Sequence, residues 1–287
     1  MSRLILLLVD AFLIAAASVA SAQSGDFQFH LPSSLTSGFG AASYDSYSAQ
    51  FNANLGLRTG YRLGLGVGGS WGKSDDGAIV INSNRVSFGT DPLNLFSGSL
   101  GYERWGQASV LQTETLSPSI MFSHEHFSAE VTPSIRSIAW FSRMGGTSDR
   151  RLYARSQGLS GSLGLFFLSP VSLRFSAATY TYFDVPSDFE NLALAGFLSL
   201  TSLNLGSGFL DHSYSAELGV NLGKWSLTGE YYSARAFIDK IDFSAITVWT
   251  DYAPSNAWGY RLLAGQTSAP DNPVTYQSEL SLSYYWQ

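Results

Sequence analysis

From Tyr44 onward, apolar and polar residues alternate along the chain. Ala49, Phe51, Ala53, Leu55 and Leu57 are apolar, while Ser48, Gln50, Asn52, Asn54 and Gly56 between them are polar or small. Successive side chains of a strand point to opposite faces, so this period of two predicts a β-strand with one wet face. Tyr61, Leu63, Leu65, Val67 and Trp71 repeat the pattern against Arg62, Gly64, Gly66, Gly68, Ser70 and Gly72. A three-residue loop, Arg58-Thr59-Gly60, joins the two runs and predicts a hairpin that pairs Leu57 with Tyr61 and Phe51 with Val67.

The alternation recurs over the rest of the chain. It is clear in Leu116 to Phe122, in Phe127 to Ile135, in Leu159 to Phe167, in Tyr214 to Leu222 and in Leu280 to Trp286. A soluble sandwich alternates as well, but its exposed face is rich in Lys and Glu. Here the polar face is Ser, Thr, Asn and Gly with isolated charges, which suits a confined, water-filled lumen inside an apolar outer wall. Tyr61 and Trp71 share a face ten residues apart. At a strand tilt near 40° that separation is roughly 25 Å along a barrel axis, the height of an apolar band between two aromatic girdles. Tyr214 with Trp225 and Phe127 with Phe141 suggest the same spacing.

Composition narrows the class further. Asp, Glu, Lys and Arg make up 13% of the 287 residues, against roughly 25% in an average soluble domain. With 45% hydrophobic and 14% aromatic residues the chain is not disordered. No apolar run beyond the first two dozen positions reaches the roughly 18 residues of a spanning helix, which excludes a helical membrane protein. A formal net charge of -6 gives no electrostatic reason for a nucleic-acid partner. At the N-terminus, Arg3, the apolar stretch Leu4 to Ala17 and Ala20-Ser21-Ala22 form a secretory signal, so residues 1–22 are expected to be cleaved before Gln23. A short N-terminal helix is the alternative. Without cysteine there is no disulfide framework, and a small stapled extracellular domain is excluded.

The cleavable signal, the absence of cysteine, the repeated dyad strands and the amphipathic terminal segment Val274 to Gln287 together resemble a Gram-negative outer-membrane β-barrel of porin-like type. Family members usually end on an aromatic residue, whereas here Trp286 is next to last. The resemblance implies an all-β fold: a single antiparallel transmembrane β-barrel in the outer membrane, in contact with its lipids and lipopolysaccharide.

Fourteen candidate strands cover 46–58, 61–73, 78–90, 93–105, 109–123, 127–141, 151–168, 171–183, 192–205, 211–223, 225–236, 241–252, 257–266 and 274–286. Alternation slips in 78–90, 192–205 and 241–252, which leaves the expected count at 12–14 strands. The barrel is placed at 46–287 and an N-terminal segment at 23–45, where Phe27, Phe29 and Leu31 form either a short extra strand or a piece folded into the lumen. Connections at 58–60, 91–92, 123–126 and 169–170 look periplasmic, and 142–150 and 184–191 look like outer loops. The Gly223-Lys224 turn breaks this parity, so the strand list contains an error.

Several residue groups are candidates for function. A two-residue turn at Gly223-Lys224 places Glu217 opposite Glu230 on the lumen side. Paired carboxylates share a proton, attract a cation, pair with an arginine such as Arg136 or Arg62, or serve as paired acids in hydrolysis. With Glu130, Arg136, Arg62 and Glu279 they form the candidate pore-lining and selectivity set. Arg143, Arg150, Arg151 and Arg155 crowd one expected outer loop, where arginines bind lipopolysaccharide phosphates, narrow a pore or stay solvated beside Asp149.

His126-Phe127-Ser128 is similar to the His-x-Ser of outer-membrane lipid A deacylases, which are eight-stranded barrels whose pattern continues with Asn; Ala129 stands there in this chain. Side chains two apart on a strand are about 7 Å apart, too far for a direct Ser-His hydrogen bond. His124 and His126 are the alternative, a surface metal pair, with a plain polar turn the simplest reading. Asp75-Asp76 and Asp211-His212 hold the residue types of the omptin proteases without their spacing. Gly-rich Leu63 to Gly72 lacks the Lys and Ser/Thr of a phosphate loop.

The expectation is a passive channel for small hydrophilic solutes, with no catalytic residue, metal or cofactor. Two rivals stand beside it: a structural or assembly barrel of an envelope complex, plugged by its own N-terminal segment or by a protein partner, and a lipid-acting hydrolase using His126 and Ser128.

Overall fold

The computed structural model describes residues 33–43, 46–57, 60–74, 77–90, 95–107, 111–144, 148–166, 170–185, 209–237, 240–270 and 273–286. They form 14 antiparallel strands: β1 (Ser33–Ala42), β2 (Ser46–Gly56), β3 (Tyr61–Ser74), β4 (Gly77–Thr90), β5 (Phe96–Gln107), β6 (Leu111–Ser123), β7 (Phe127–Met144), β8 (Ser148–Phe166), β9 (Val171–Phe183), β10 (Leu210–Leu222), β11 (Trp225–Ala236), β12 (Asp242–Ser255), β13 (Trp258–Ser268) and β14 (Thr275–Trp286). Each strand pairs with its sequence neighbours, and β1 closes on β14.

Following the register once round displaces the path by about 14 residues, as many as there are strands, which sets a tilt of about 37° and a backbone radius of about 13 Å. Eight strands are just filled by their own side chains, so fourteen leave interior space.

The hydrophobic pattern decides which face is which. Phe39, Phe51, Val67, Val131, Phe175, Leu218, Leu262 and Leu280 all point outward and are 45–59% exposed. A soluble domain hides such residues; a barrel in lipid displays them. Aromatic rings ring this band at its short-turn end, where Tyr61 stacks on Phe88 at 5.3 Å, Phe96 meets Phe122 at 5.1 Å, Trp225 stacks on Tyr252 at 4.3 Å and Trp258 meets Tyr284 at 4.8 Å. At the other end Phe39, Tyr47 and Trp71 lie 6.2–6.4 Å apart in one cluster. Tyr61 and Trp71 therefore do belong to opposite girdles, as do Trp225 and Tyr214; the side chain of Phe141 lies outside the described residues.

Two turns form as their glycines demand. Gly60 has φ 76°, and the Leu57 amide donates to the Tyr61 carbonyl at 2.8 Å. Gly223 has φ 78° while Lys224 does not enter the left-handed region, the signature of a type II′ turn, and Leu222 faces Trp225. The registers expected from these turns, Phe51 with Val67 and Glu217 with Glu230, are the registers observed.

The strand list needs correction in two places. The barrel begins at Ser33, not at residue 46, because β1 lies inside the segment 23–45. Its outward residues Leu35, Ser37, Phe39 and Ala41 and its inward residues Thr36, Gly38 and Gly40 are mostly small on both faces, which blurs the period. The candidate strand 192–205 lies outside the described residues, as do Phe27, Phe29 and Leu31. Because β9 pairs directly with β10, with no strand counted between them, the Gly223-Lys224 turn falls at the same end as the connections after β2, β4, β6 and β8, and the parity conflict disappears. Short turns of outer-membrane barrels face the periplasm.

The second correction concerns 142–150. Most of it is strand: β7 runs to Met144 and β8 starts at Ser148, with Arg143 partnering Asp149. At 18 and 19 residues, β7 and β8 are the longest of the 14 described strands. The arginines Arg143, Arg150, Arg151 and Arg155 thus lie on strands, not on a loop.

Candidate functional site: the barrel lumen

Inward positions carry the chemistry. On β2 they are Ser46, Ser48, Gln50, Asn52 and Asn54; on β3, Gly64, Gly66, Gly68 and Ser70; on β7 and β8, Ser128, Thr132, Ser160 and Ser162. Short hydroxyls and glycines keep the wall low. A Cβ on Gly66 would stand 2.7 Å from Asn52 Oδ1, and one on Gly68 would stand 2.8 Å from Ser83 Oγ, so these sites hold glycine to leave room for the polar neighbour.

Charges sit among these small residues. All six candidate selectivity residues, Arg62, Glu130, Arg136, Glu217, Glu230 and Glu279, take inward positions. Glu217 has Glu230 on one side and Arg174 on the other, so the arginine beside the acid pair is Arg174, not Arg136 or Arg62. Arg136 stands higher, its Nε donating to Thr115 Oγ1 at 3.1 Å and its guanidinium 5.5 Å from the Tyr180 ring. Glu279 is held at Oε1 by Gln50 Nε2 at 2.7 Å and Ser281 Oγ at 2.6 Å. Thr132 Oγ1 donates to Glu130 Oε1 at 3.3 Å.

Among the described residues, sequence reasoning missed the inward charges Arg85, Glu103, Arg174, Asp251 and Arg261. Arg261 binds Asp251 through two nitrogens, Nε to Oδ1 at 2.7 Å and Nη2 to Oδ2 at 3.2 Å, which neutralises both. Arg174 was legible, since Val171, Leu173 and Phe175 alternate around it. Arg85 was not, because its strand reverses polarity near its N-terminal end.

Among the described residues, three cavities open into the lumen. One of about 350 Å³ is lined by Glu230, Arg261, Glu279, Trp249, Thr247 and Gln277 among others; one of about 300 Å³ by Gln50, Asn52, Arg85, Glu103 and Glu279; one of about 280 Å³ by Glu130, Ser162, Arg174, Ser215 and Tyr232. Glu279, Ser48 and Ser70 border the first two, so these two cavities adjoin along the polar β14–β1–β2–β3 wall.

The loop-end half of the lumen differs on the opposite side. Ile81, Trp105, Leu111, Ile138 and Ala154 point inward from β4 to β8 and are 0–8% exposed. Of these, Ile81 and Trp105 border the cavity of about 300 Å³, so this apolar side meets the polar wall there. Polarity is inverted at this level: Asn82, Asn84, Arg104, Gln112 and Glu114 face outward.

The other candidates are scattered. The His124 and His126 rings lie 6.1 Å apart in the short turn between β6 and β7, and Ser128 points inward, nine-tenths buried. Among the described residues no group of three or more His, Asp or Glu is placed to hold a metal ion. Asp75-Asp76 lies outside the described residues. Asp211 stands 3.9 Å from both His212 and Lys240 at the loop end of β10.

No protein-family model matches the chain, and no curated protein matches its sequence. Solved structures do match its fold. Similar structures include CdiB from Acinetobacter baumannii (TM-score 0.51, 10% identity, 88% of this chain and 60% of that one) and OmpT, an outer membrane protein of Vibrio cholerae (TM-score 0.48, 10% identity, 89% and 96%). Another is OccK11 of Pseudomonas aeruginosa (TM-score 0.43, 10% identity, 89% and 95%). The closed 14-strand antiparallel barrel with its outward apolar band shares its fold, a closed antiparallel β-barrel, with CdiB. Within that fold no narrower family is marked.

Proposed function

We propose that the protein is a non-enzymatic passive channel for small hydrophilic solutes in the outer membrane of a Gram-negative bacterium. The observation that carries this reading is the polar wall of β14, β1, β2 and β3, with two cavities that share Glu279, Ser48 and Ser70. Small hydroxyl, amide and glycine positions replace a solute's water without binding it tightly, which is what passage requires. The acids Glu217, Glu230 and Glu279 exceed the unneutralised arginines beside them, since Arg261 is held by Asp251. The path therefore favours cations.

The buried inner residues Ile81, Leu111 and Ile138 favour a second reading, a barrel blocked at its loop end and serving an envelope assembly. The two readings separate in a planar bilayer. A channel gives stepwise conductance with a reversal potential toward the cation Nernst value under a salt gradient. A correctly folded protein that passes no current sinks the channel reading in favour of the blocked one.

A further inference from the structure

Two large apolar side chains interrupt the polar inner wall at mid-height. Trp249 on β12 and Leu263 on β13 are register partners and half-buried, while their inward neighbours on the same strands are Thr247, Asp251, Arg261 and Gly265. Both line the cavity of about 350 Å³, a size within the roughly 300–1,000 Å³ of small-molecule sites. A carboxylate flanks the pair on each side: Glu279 on β14 is the next residue in the row after Leu263, and Glu230 on β11 stands beside Thr247. Arg261, gripped by both carboxylate oxygens of Asp251, holds its guanidinium 5.8 Å from the Trp249 ring centroid and steadies the indole. Around the acid the wall stays low. A Cβ on Gly38 would stand 2.9 Å from both Glu279 Oε1 and Ser281 Oγ, and one on Gly265 would stand 3.1 Å from Gln277 Nε2. Gln50 Nε2 and Ser281 Oγ both donate to Glu279 Oε1, so Oε2 keeps its lone pairs for a ligand.

A pyranose ring carries the complementary surface. Its C–H faces are apolar, with hydrogens that suit the negative face of an aromatic ring, and its hydroxyls project from the rim, where they donate charge-assisted hydrogen bonds to carboxylates. Glu230 and Glu279 accept such bonds, and Gln277 both donates and accepts. An acidic sugar meets two carboxylates here while the cation of the site is already held by Asp251, so it is disfavoured. The two flanking acids stand three strands apart, about 14 Å along the wall, which is wider than one sugar ring. Building on the channel reading above, we infer that this cavity is a stacking site for a neutral oligosaccharide: Trp249 and Leu263 support the face of a pyranose ring, while Glu230, Glu279 and Gln277 hold the hydroxyls of that ring and its neighbours.

The test is equilibrium dialysis of the full-length folded protein in mild detergent against maltotriose and, separately, trigalacturonate, with bilayer current recorded from the same preparations. Maltotriose binds and interrupts the current, and trigalacturonate does neither. Trp249→Ala weakens maltotriose binding about tenfold, the loss expected when ring stacking and its buried area disappear. Trp249→Phe keeps part of the affinity. Leu263→Asn, which leaves the indole in place, weakens binding in the same direction, so the outcome does not depend on one variant folding. Trp225→Ala, on the outer girdle, binds like wild type. A folded protein that binds no maltotriose, that binds trigalacturonate equally well, or whose Trp249→Ala variant binds maltotriose like wild type overturns the inference. Dialysis reads the site without any current. Sugar bound by a barrel that passes no ions sinks the channel reading and leaves the site standing, whereas ion current without sugar binding does the reverse.

Discussion

Val131→Arg, at mid-height of the outer wall, is expected to lower folding stability in bilayers by roughly 2–4 kcal/mol, the cost of an arginine at the hydrocarbon midplane. Val131 is 54% exposed and faces outward between Ile120 on β6 and Gly161 on β8. Among the described residues no acid stands beside it on that face, so the guanidinium must either drag water into the lipid or pull the strand toward a girdle. Ser162→Arg, one strand away and close in height, points into the cavity that holds Glu130. There water and a carboxylate receive it, and the cost is below about 1 kcal/mol. Urea titrations in lipid vesicles, followed by Trp fluorescence, measure both. Equal costs at the two sites would mean that the inner and outer faces have been assigned wrongly.

The second large effect concerns ions. Replacing Glu230 and Glu279 together by Gln is expected to reduce the cation-over-anion permeability ratio at least about twofold while leaving conductance in high salt nearly unchanged, because the ring of fixed charge sets selectivity more than width. Both residues border the same cavity of about 350 Å³. Glu217→Gln alone has a smaller effect, since Arg174 beside it already offsets its charge. Reversal potentials under a salt gradient decide the matter; an unchanged ratio in the double variant would place the selective point elsewhere.

Much of this was legible in the chain. Period two is a direct image of a wall with lipid on one side and water on the other, so it marked most strands and the inward parity of Glu217, Glu230 and Glu279. Turn glycines fixed register because only Gly60 and Gly223 supply the left-handed backbone at those corners. β1 escaped because Ser37, Gly38, Gly40 and Ala41 give both faces nearly the same size and polarity. The slip within 78–90 has a different cause: above the apolar band the outer face meets headgroups and water while the inner face is covered. Asn82 and Asn84 then turn outward and Ile81 inward, and the pattern runs backward. Arg104 with Trp105, and Glu114 with Thr113, invert in the same way. Alternation alone reports that one face is wet, not which side of the wall the water is on.

Since the chain has no cysteine, a single introduced thiol gives the most direct test of the central claim that ions pass along the β14–β1–β2–β3 wall. Ser48→Cys and Ser70→Cys sit on that wall, and Val67→Cys sits on the outer face of the same strand as Ser70. Adding a charged, membrane-impermeant thiol reagent during single-channel recording should step the current down in Ser48→Cys and Ser70→Cys and leave Val67→Cys unaffected. Current that persists unchanged in labelled Ser48→Cys and Ser70→Cys channels would contradict the account.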